Sequence, residues 1–380
     1  MSSINYHIST TMLDWIADKQ STDRKGLAEK VGVATKKVED FLQGIINKGQ
    51  ADKLTKMAGI PFGFLYLKEP PADDFFTKPK LPDFRTAQDS DPLTDDFYDT
   101  LKHIQHLQEW YKDYLQEQET LPERLPFIGK FNIHHNPVEI AQDIAKTIGF
   151  DNEQRKKLNK GTYFKYISEL LEKVGILVFK NGVVGVNNSR PLNVREFRGF
   201  AIADTQVPVI FVSGKDAESA QLFTLLHETA HLWLGETGIS NTEPVNIDDR
   251  VEKLCNQVAA EFLVPLDEFL NLWDNKKELQ ENLNLLITAF KVSQYVIAIR
   301  ALQNRLITQE QFQNIRQIAY SHTKKGSGGN PYATIPIRNS RTVTRTIVQL
   351  AMSKEMLLRD AANLLQVQPK TILQLYKKGK

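Results

Sequence analysis

The amino-acid sequence predicts an α+β fold, mostly helical, built around one small β-sheet. Three observations lead there. Apolar residues recur at helical spacing over most of the chain, as in the segments 95–118, 137–149 and 153–174. Between 175 and 212 the period changes. The runs GILVFK (175–180), FRGFAIAD (197–204) and VPVIFV (207–212) are rich in Val, Ile and Phe and are separated by turn residues, so they read as strands. The last of these runs feeds directly into an apolar helix expected over 216–234.

The chain has 380 residues, enough for two or three domains that each bury a core. It is 41% hydrophobic and 25% charged, an ordinary globular composition that excludes a long disordered chain. The formal net charge is +2, so any nucleic-acid contact must come from a local patch. A single cysteine, Cys255, cannot form a disulfide within the chain and fits a reducing compartment. MSSINYHISTTMLDW has no basic stretch followed by an apolar one, so no signal peptide is expected. No run reaches the roughly 18 apolar residues of a membrane span. The expected location is the cytoplasm, with no membrane partner.

Four regions are expected. Residues 1–68 read as a helical domain of helix-turn-helix type. Ala28 allows close packing, Gly32 turns the corner four residues later, and Val38 seats a second helix. Thr35, Lys36 and Lys37, at the start of that helix, are the candidate DNA contacts. A plain helical bundle with a Gly C-cap needs the same residues. Nine Lys/Arg against seven Asp/Glu in residues 1–60 form only a weak electrostatic footprint. Residues 69–94, with Pro70, Pro71, Pro79 and Pro82, read as a linker. Residues 95–320 hold the sheet, the helix over 216–234, and helices expected at 249–263, 277–304 and 308–320. Residues 321–380 open with a loop around GSGG (326–329) and end in helices with eight Lys/Arg against two Asp/Glu from 341 on. There Ala362 and Ile372 are spaced as in a second turn-containing helix pair, but Gln366 stands where Gly is expected.

The chemistry is concentrated in LLHETAHLW (225–233). Two histidines four apart project from one helix face and can bind one metal ion. Imidazole ligands suit zinc rather than manganese, one ion per chain, and a catalytic site keeps one position open for water. Glu228, next to His227, can take that water's proton as general base. Ala220, Leu222, Phe223, Leu226 and Ala230 make the helix apolar and buried, so His227 and His231 need partners. Two core histidines bonded to carbonyls are the bland alternative.

A third ligand is sought in VEKLCNQVAAEFLVP (251–265). Glu252 and Asn256 share a face with Ala259, and small Ala259 and Ala260 allow close approach. Glu252 would ligate, and Asn256 could hydrogen-bond a ligand. Asp249 and Glu252 could equally be a capping pair at the helix start. Glu261 lies on the opposite side, and Cys255 reads as a buried small hydrophobe. Tyr320, His322, Tyr332 and Arg338 are candidates for holding an oxyanion or substrate, and the strand 207–212 for pairing an extended substrate along a sheet edge.

FTLLHETAHLWLG followed by VEKLCNQVAAEFLVP resembles the ImmA/IrrE family of metallopeptidases, in which a His-Glu-x-x-His helix precedes a helix of the form Glu-x-x-x-Asn-x-x-Ala-Ala-x-x-Leu-x-Pro. Here those positions are Glu252, Asn256, Ala259, Ala260, Leu263 and Pro265. The resemblance implies a zincin-like core with Glu252 as third ligand. GIPFGFLYLKEPP, LPDFRT, FKVSQYVIAIRALQNRLIT and GSGGNPY are similar to a longer subgroup with a helix-turn-helix module ahead of the peptidase. Ser213 stands where many members carry Asn. The family implies a protein substrate, a repressor or antitoxin-like regulator, cut in a stress or transfer response. The competing reading is a non-proteolytic DNA-binding regulator or antitoxin whose metal domain is a sensor. The sequence fixes no oligomeric state.

Overall fold

A computed structural model of the chain describes residues 5–20, 22–58, 60, 62–70, 83, 91–150, 152–158, 160–216, 218–240, 249–321 and 331–378. Two compact units result, Met1–Lys78 and Pro79–Lys380.

The first unit carries α1 (Thr10–Lys19), α2 (Arg24–Val31), α3 (Val38–Leu42) and α4 (Lys48–Ala58) around a core of Met12, Leu13, Ile16, Leu27, Ala28, Val31, Phe41 and Leu54. Gly32 follows α2 in the left-handed region, with φ 80°, as a corner residue must. The segment expected as a second helix is a single 3-10 turn, Thr35–Lys37, running into five-residue α3. Two short strands were not anticipated: β1 (Asn5–His7) pairs antiparallel with β2 (Ile45–Asn47).

The second unit is organised by a four-stranded sheet. Its strands are β3 (Leu177–Asn181), β6 (Gly199–Ile202), β7 (Val209–Ser213) and β8 (Gly238–Ser240), in the order β3-β7-β6-β8. Between β3 and β6, β4 (Val183–Val184) and β5 (Asn187–Pro191) form a separate small ribbon. β3 runs parallel to β7, whereas β6 is antiparallel to β7 and β8. Side chains alternate cleanly, as the two-residue period of a strand dictates. Val178, Ala201, Ile210 and Val212 face one core, while Leu177, Phe179, Phe200, Val209 and Phe211 face a second.

The first core is covered by α6 (Pro137–Ile148), α7 (Asn152–Lys157), α8 (Lys160–Lys173), α9 (Glu218–Leu234), α10 (Arg250–Leu263), α11 (Leu266–Leu272), α12 (Leu279–Phe290), α13 (Gln294–Gln303) and α14 (Gln309–Ser321). The expected helix over 277–304 is two helices bent by 111°, broken at Lys291 (φ 57°) and restarted by Ser293, which accepts from the amide of Val296. No single helix among the described residues is long and apolar enough to cross a membrane. The second core is covered by α5 (Asp95–Glu117), α15 (Pro331–Arg338), α16 (Arg341–Ser353), α17 (Leu358–Leu364) and α18 (Pro369–Lys378). The stretch expected as loop up to 339 is therefore helical from Pro331, and Pro336 sits inside that helix.

His103 of α5 ties the C-terminal helices to this second core. It accepts at Nδ1 from Gln366 Nε2 (3.2 Å) and donates from Nε2 to Asn339 Oδ1 (3.3 Å). Burial holds the imidazole below its ordinary 6.5, and the nearby Arg338 and His106 charges push the same way against the Asn339 bond. The unfolded chain therefore takes up the proton first. Stability from this group is present above pH 6.5 and is lost as pH falls below it. His103→Gln is expected to flatten that slope, as read from urea midpoints between pH 7.5 and 5.5.

Candidate metal centre

α9 lies across β6 and β7, and its run of buried apolar residues explains why it forms there: Leu222, Phe223, Leu225, Leu226, Ala230, Leu232 and Trp233 leave no solvated face. His227, Glu228 and His231 are buried with them. α10 packs on α9, with Ala259 and Ala260 fully buried in the contact. Asp249 caps α10, accepting from the amides of Val251 (2.7 Å) and Glu252 (3.3 Å). The cap and the ligand are thus separate residues. Asp249 holds the helix start, which frees the Glu252 carboxylate to turn toward the histidines.

His227, His231 and Glu252 each aim one donor atom at a common point. His227 Nε2 is 3.1 Å from His231 Nε2 and 3.1 Å from Glu252 Oε2, and His231 Nε2 is 3.0 Å from Glu252 Oε1. Zinc–nitrogen bonds of about 2.0–2.1 Å in a tetrahedron would set ligand atoms about 3.3 Å apart, so this donor set fits that ion. The proton placement agrees. Asn256 Oδ1 lies 3.0 Å from His227 Nδ1 and is an acceptor, so Nδ1 carries the hydrogen. Nε2 then presents its lone pair to a carboxylate, an arrangement that a cation makes favourable. Burial pushes the His227 pKa down and holds it neutral, as a ligand must be. Glu252 is buried, which opposes its charge, but positive charge at the two histidine nitrogens beside it, such as a shared proton or cation supplies, holds its carboxyl below the ordinary range.

Glu228 is not one of the three. Its Oε2 lies 3.4 Å from Ser240 Oγ, and its buried Oε1 has no hydrogen-bond partner among the described residues. Burial, reinforced by the Glu252 charge, pushes its pKa well up. A dication at the three ligands would oppose that field and favour the carboxylate.

Two residues of the centre carry no sequence signal. Ser240, on edge strand β8, places Oγ 3.3 Å from His231 Nε2 and 3.4 Å from Glu252 Oε1. Gly199 of β6 faces Glu228. A Cβ there would sit 2.6 Å from Glu228 Oε1, 2.8 Å from Thr224 Cγ2 and 2.9 Å from the Phe211 carbonyl oxygen. The missing side chain lets the metal helix lie on the sheet. Gly199→Ala is expected to cost about 1–3 kcal/mol of stability and to lower metal content, because helix or strand must shift. Thermal melting with metal analysis of the purified variant checks both.

The other expected site residues lie elsewhere. Tyr332 packs against the second core, on the opposite sheet face from α9, and its hydroxyl donates to Gln374. Arg338 donates to the Leu365 carbonyl. Tyr320 lies in the last turn of α14, and its side chain, like His322, lies outside the described residues. Cys255 is fully buried in the first core, and burial raises its thiol. Glu261 pairs with Arg300, away from the cluster. The strand 207–212 cannot offer a free edge, because β7 is paired on both sides, by β3 and β6. β8 is the edge strand next to the cluster, and its Ile239 forms a parallel bridge with Asp83. Thr35, Lys36 and Lys37 belong to the first unit and are exposed.

Residues 171–302, which include α9, α10 and all four strands of the sheet, match the sequence model of the IrrE N-terminal-like domain, a metallopeptidase family of ImmA/IrrE type. No curated protein matches the chain significantly.

Proposed function

We infer, from the premise that residues 171–302 form a metallopeptidase domain of the ImmA/IrrE type, that this chain is a zinc-dependent endopeptidase. Its substrate would be one regulatory protein, a repressor or an antitoxin-like DNA-binding protein. The first unit, with Thr35, Lys36 and Lys37 exposed, would bring the enzyme to DNA or to that substrate.

The observation that carries this reading is Glu228. A buried carboxylate oxygen without a partner is costly to keep in a core. A site that only binds or senses metal has no use for it, whereas a hydrolase does. His227, His231 and Glu252 would hold zinc, which when bound lowers the pKa of a water ligand to about 7 and polarises a peptide carbonyl. Glu228 Oε1 would accept the proton of the attacking water and return it to the leaving amine nitrogen. Asn256 keeps the His227 ring turned so that Nε2 points inward. Ser240 Oγ lies 3.4 Å from both Glu228 and Glu252, and its single O–H can donate to either carboxylate. The burial of the cluster limits the water that can compete.

The test is a comparison of new protein N-termini in host cells carrying the wild type or Glu228→Gln, at rest and under stress. A fragment formed only with the wild type identifies the substrate. Identical N-termini under every condition would favour the non-proteolytic regulator.

A further inference from the structure

The C-terminal helices form a unit that peptide hydrolysis does not use. α17 and α18 are joined by a four-residue turn, Leu365 to Gln368, and α16 packs across both. Ala361, Ala362, Leu365 and Ile372 are fully buried where the helices meet, and Leu375 nearly so. The corner is Gln366, in the left-handed region with φ 52°. This is the position where the spacing of Ala362 and Ile372 calls for glycine. The side chain explains why glutamine serves: Nε2 donates to His103, which anchors the strained turn to α5. Two short helices, a tight left-handed corner and a third supporting helix make a helix-turn-helix.

The second helix of such a unit presents its outer face to a partner. On α18 that face is Lys370, Leu373, Gln374 and Lys377, at positions i, i+3, i+4 and i+7, all exposed. Between them α17 and α18 carry one acidic residue, Asp360, and α18 carries none. Residues 341–380 hold eight Lys/Arg against two Asp/Glu, which leaves forty against forty-four in the rest of the chain. The positive charge of the whole protein is therefore concentrated on this unit. Tyr332 donates to Gln374 and fixes that side chain at the middle of the face.

We propose that α16–α18 are a duplex-DNA-binding unit, with α18 entering the major groove. Lys370 and Lys377 contact phosphates, and Leu373 and Gln374 meet base edges, where Gln pairs with adenine and an apolar group meets a thymine methyl. An anionic membrane fits less well, because the outer face of α18 carries one leucine rather than an apolar stripe. Double-stranded RNA also fits less well, since its major groove is too narrow for a helix. The unit would act whether or not the metal centre cuts protein.

The test uses the full chain and the anisotropy of a labelled mixed-sequence DNA duplex at several salt concentrations. The wild type should bind, with affinity falling steeply as salt rises. Lys370→Glu/Lys377→Glu should bind about tenfold more weakly or worse, with the salt slope smaller by about two. Leu373→Ala should weaken binding with the slope unchanged. Lys36→Glu/Lys37→Glu, which removes the candidate contacts of the first unit, should weaken binding less than Lys370→Glu/Lys377→Glu does. Helix content by circular dichroism and zinc content should stay at wild-type values. If the double variant loses helix content, Lys370→Ala carries the same test with a slope change of about one. The proposal fails if the wild type shows no binding at protein concentrations up to about 100 μM in low salt. It fails equally if the α18 variants bind like the wild type, if Lys36→Glu/Lys37→Glu alone abolishes binding, or if an RNA duplex or anionic vesicles bind as tightly.

Discussion

Glu228→Gln is expected to retain the wild-type zinc content while cleavage falls by about 10²–10⁴-fold, the usual contribution of a positioned general base. The two halves of this result have separate causes. The three donor atoms belong to His227, His231 and Glu252, so an amide at position 228 removes no ligand. Gln matches Glu in shape, and the fit over Gly199 leaves no room for a larger group. Ser240 Oγ, 3.4 Å from the carboxylate, can bond an amide as readily. What disappears is a group beside the cluster that can take a proton and return it. Mass-spectrometric metal analysis and the rate of substrate loss measure the halves independently. Loss of zinc from the variant would assign Glu228 to the ligand set and remove it as base.

Glu252→Ala should behave in the opposite way, losing metal first. Removing a residue that only supports a ligand costs about 10–100-fold in affinity, and Asn256→Ala is expected in that range. Removing a direct ligand should cost more, enough to leave the purified chain largely metal-free. Glu261→Ala is the control from the same helix. Its carboxylate pairs with Arg300 and both side chains are largely buried, so the variant should keep its zinc but lose about 3–5 kcal/mol of stability, the cost of a stranded buried charge. Competition with a chromophoric chelator measures the first effect and urea melting the second. Equal metal loss in the two variants would sink the assignment of Glu252.

The metal helix and its partner were legible in the sequence because several signals agreed. A spacing of four, an apolar helix and paired alanines point the same way, and the structure brings His227, His231 and Glu252 together. Glu252 alone was ambiguous, since Asp249 three residues earlier offered a capping role. Only the fold shows Asp249 capping by itself. Ser240 was not legible, because a three-residue edge strand has no periodicity to detect. Gly199 was hidden because a glycine in a strand signals closeness without naming the neighbour. The strand over 207–212 was found, but its central place in the sheet depends on pairing partners remote in sequence. The helix break at Lys291 was missed because apolar spacing continues through it. Helix α15 was masked by Pro336 and the glycines before it, which normally end helices.

The alternation of side chains along β3, β6 and β7 also bears on heat capacity and melting. Each of these strands is a wall shared by two cores, so neither core can open without exposing the back of the other to water. Calorimetry should therefore see the metal-binding half and the C-terminal helices as one cooperative unit. The first unit, with its own core, is free to melt at a temperature of its own. Adding zinc, which the proposed centre would bind only when folded, should raise the larger transition and leave the smaller one in place.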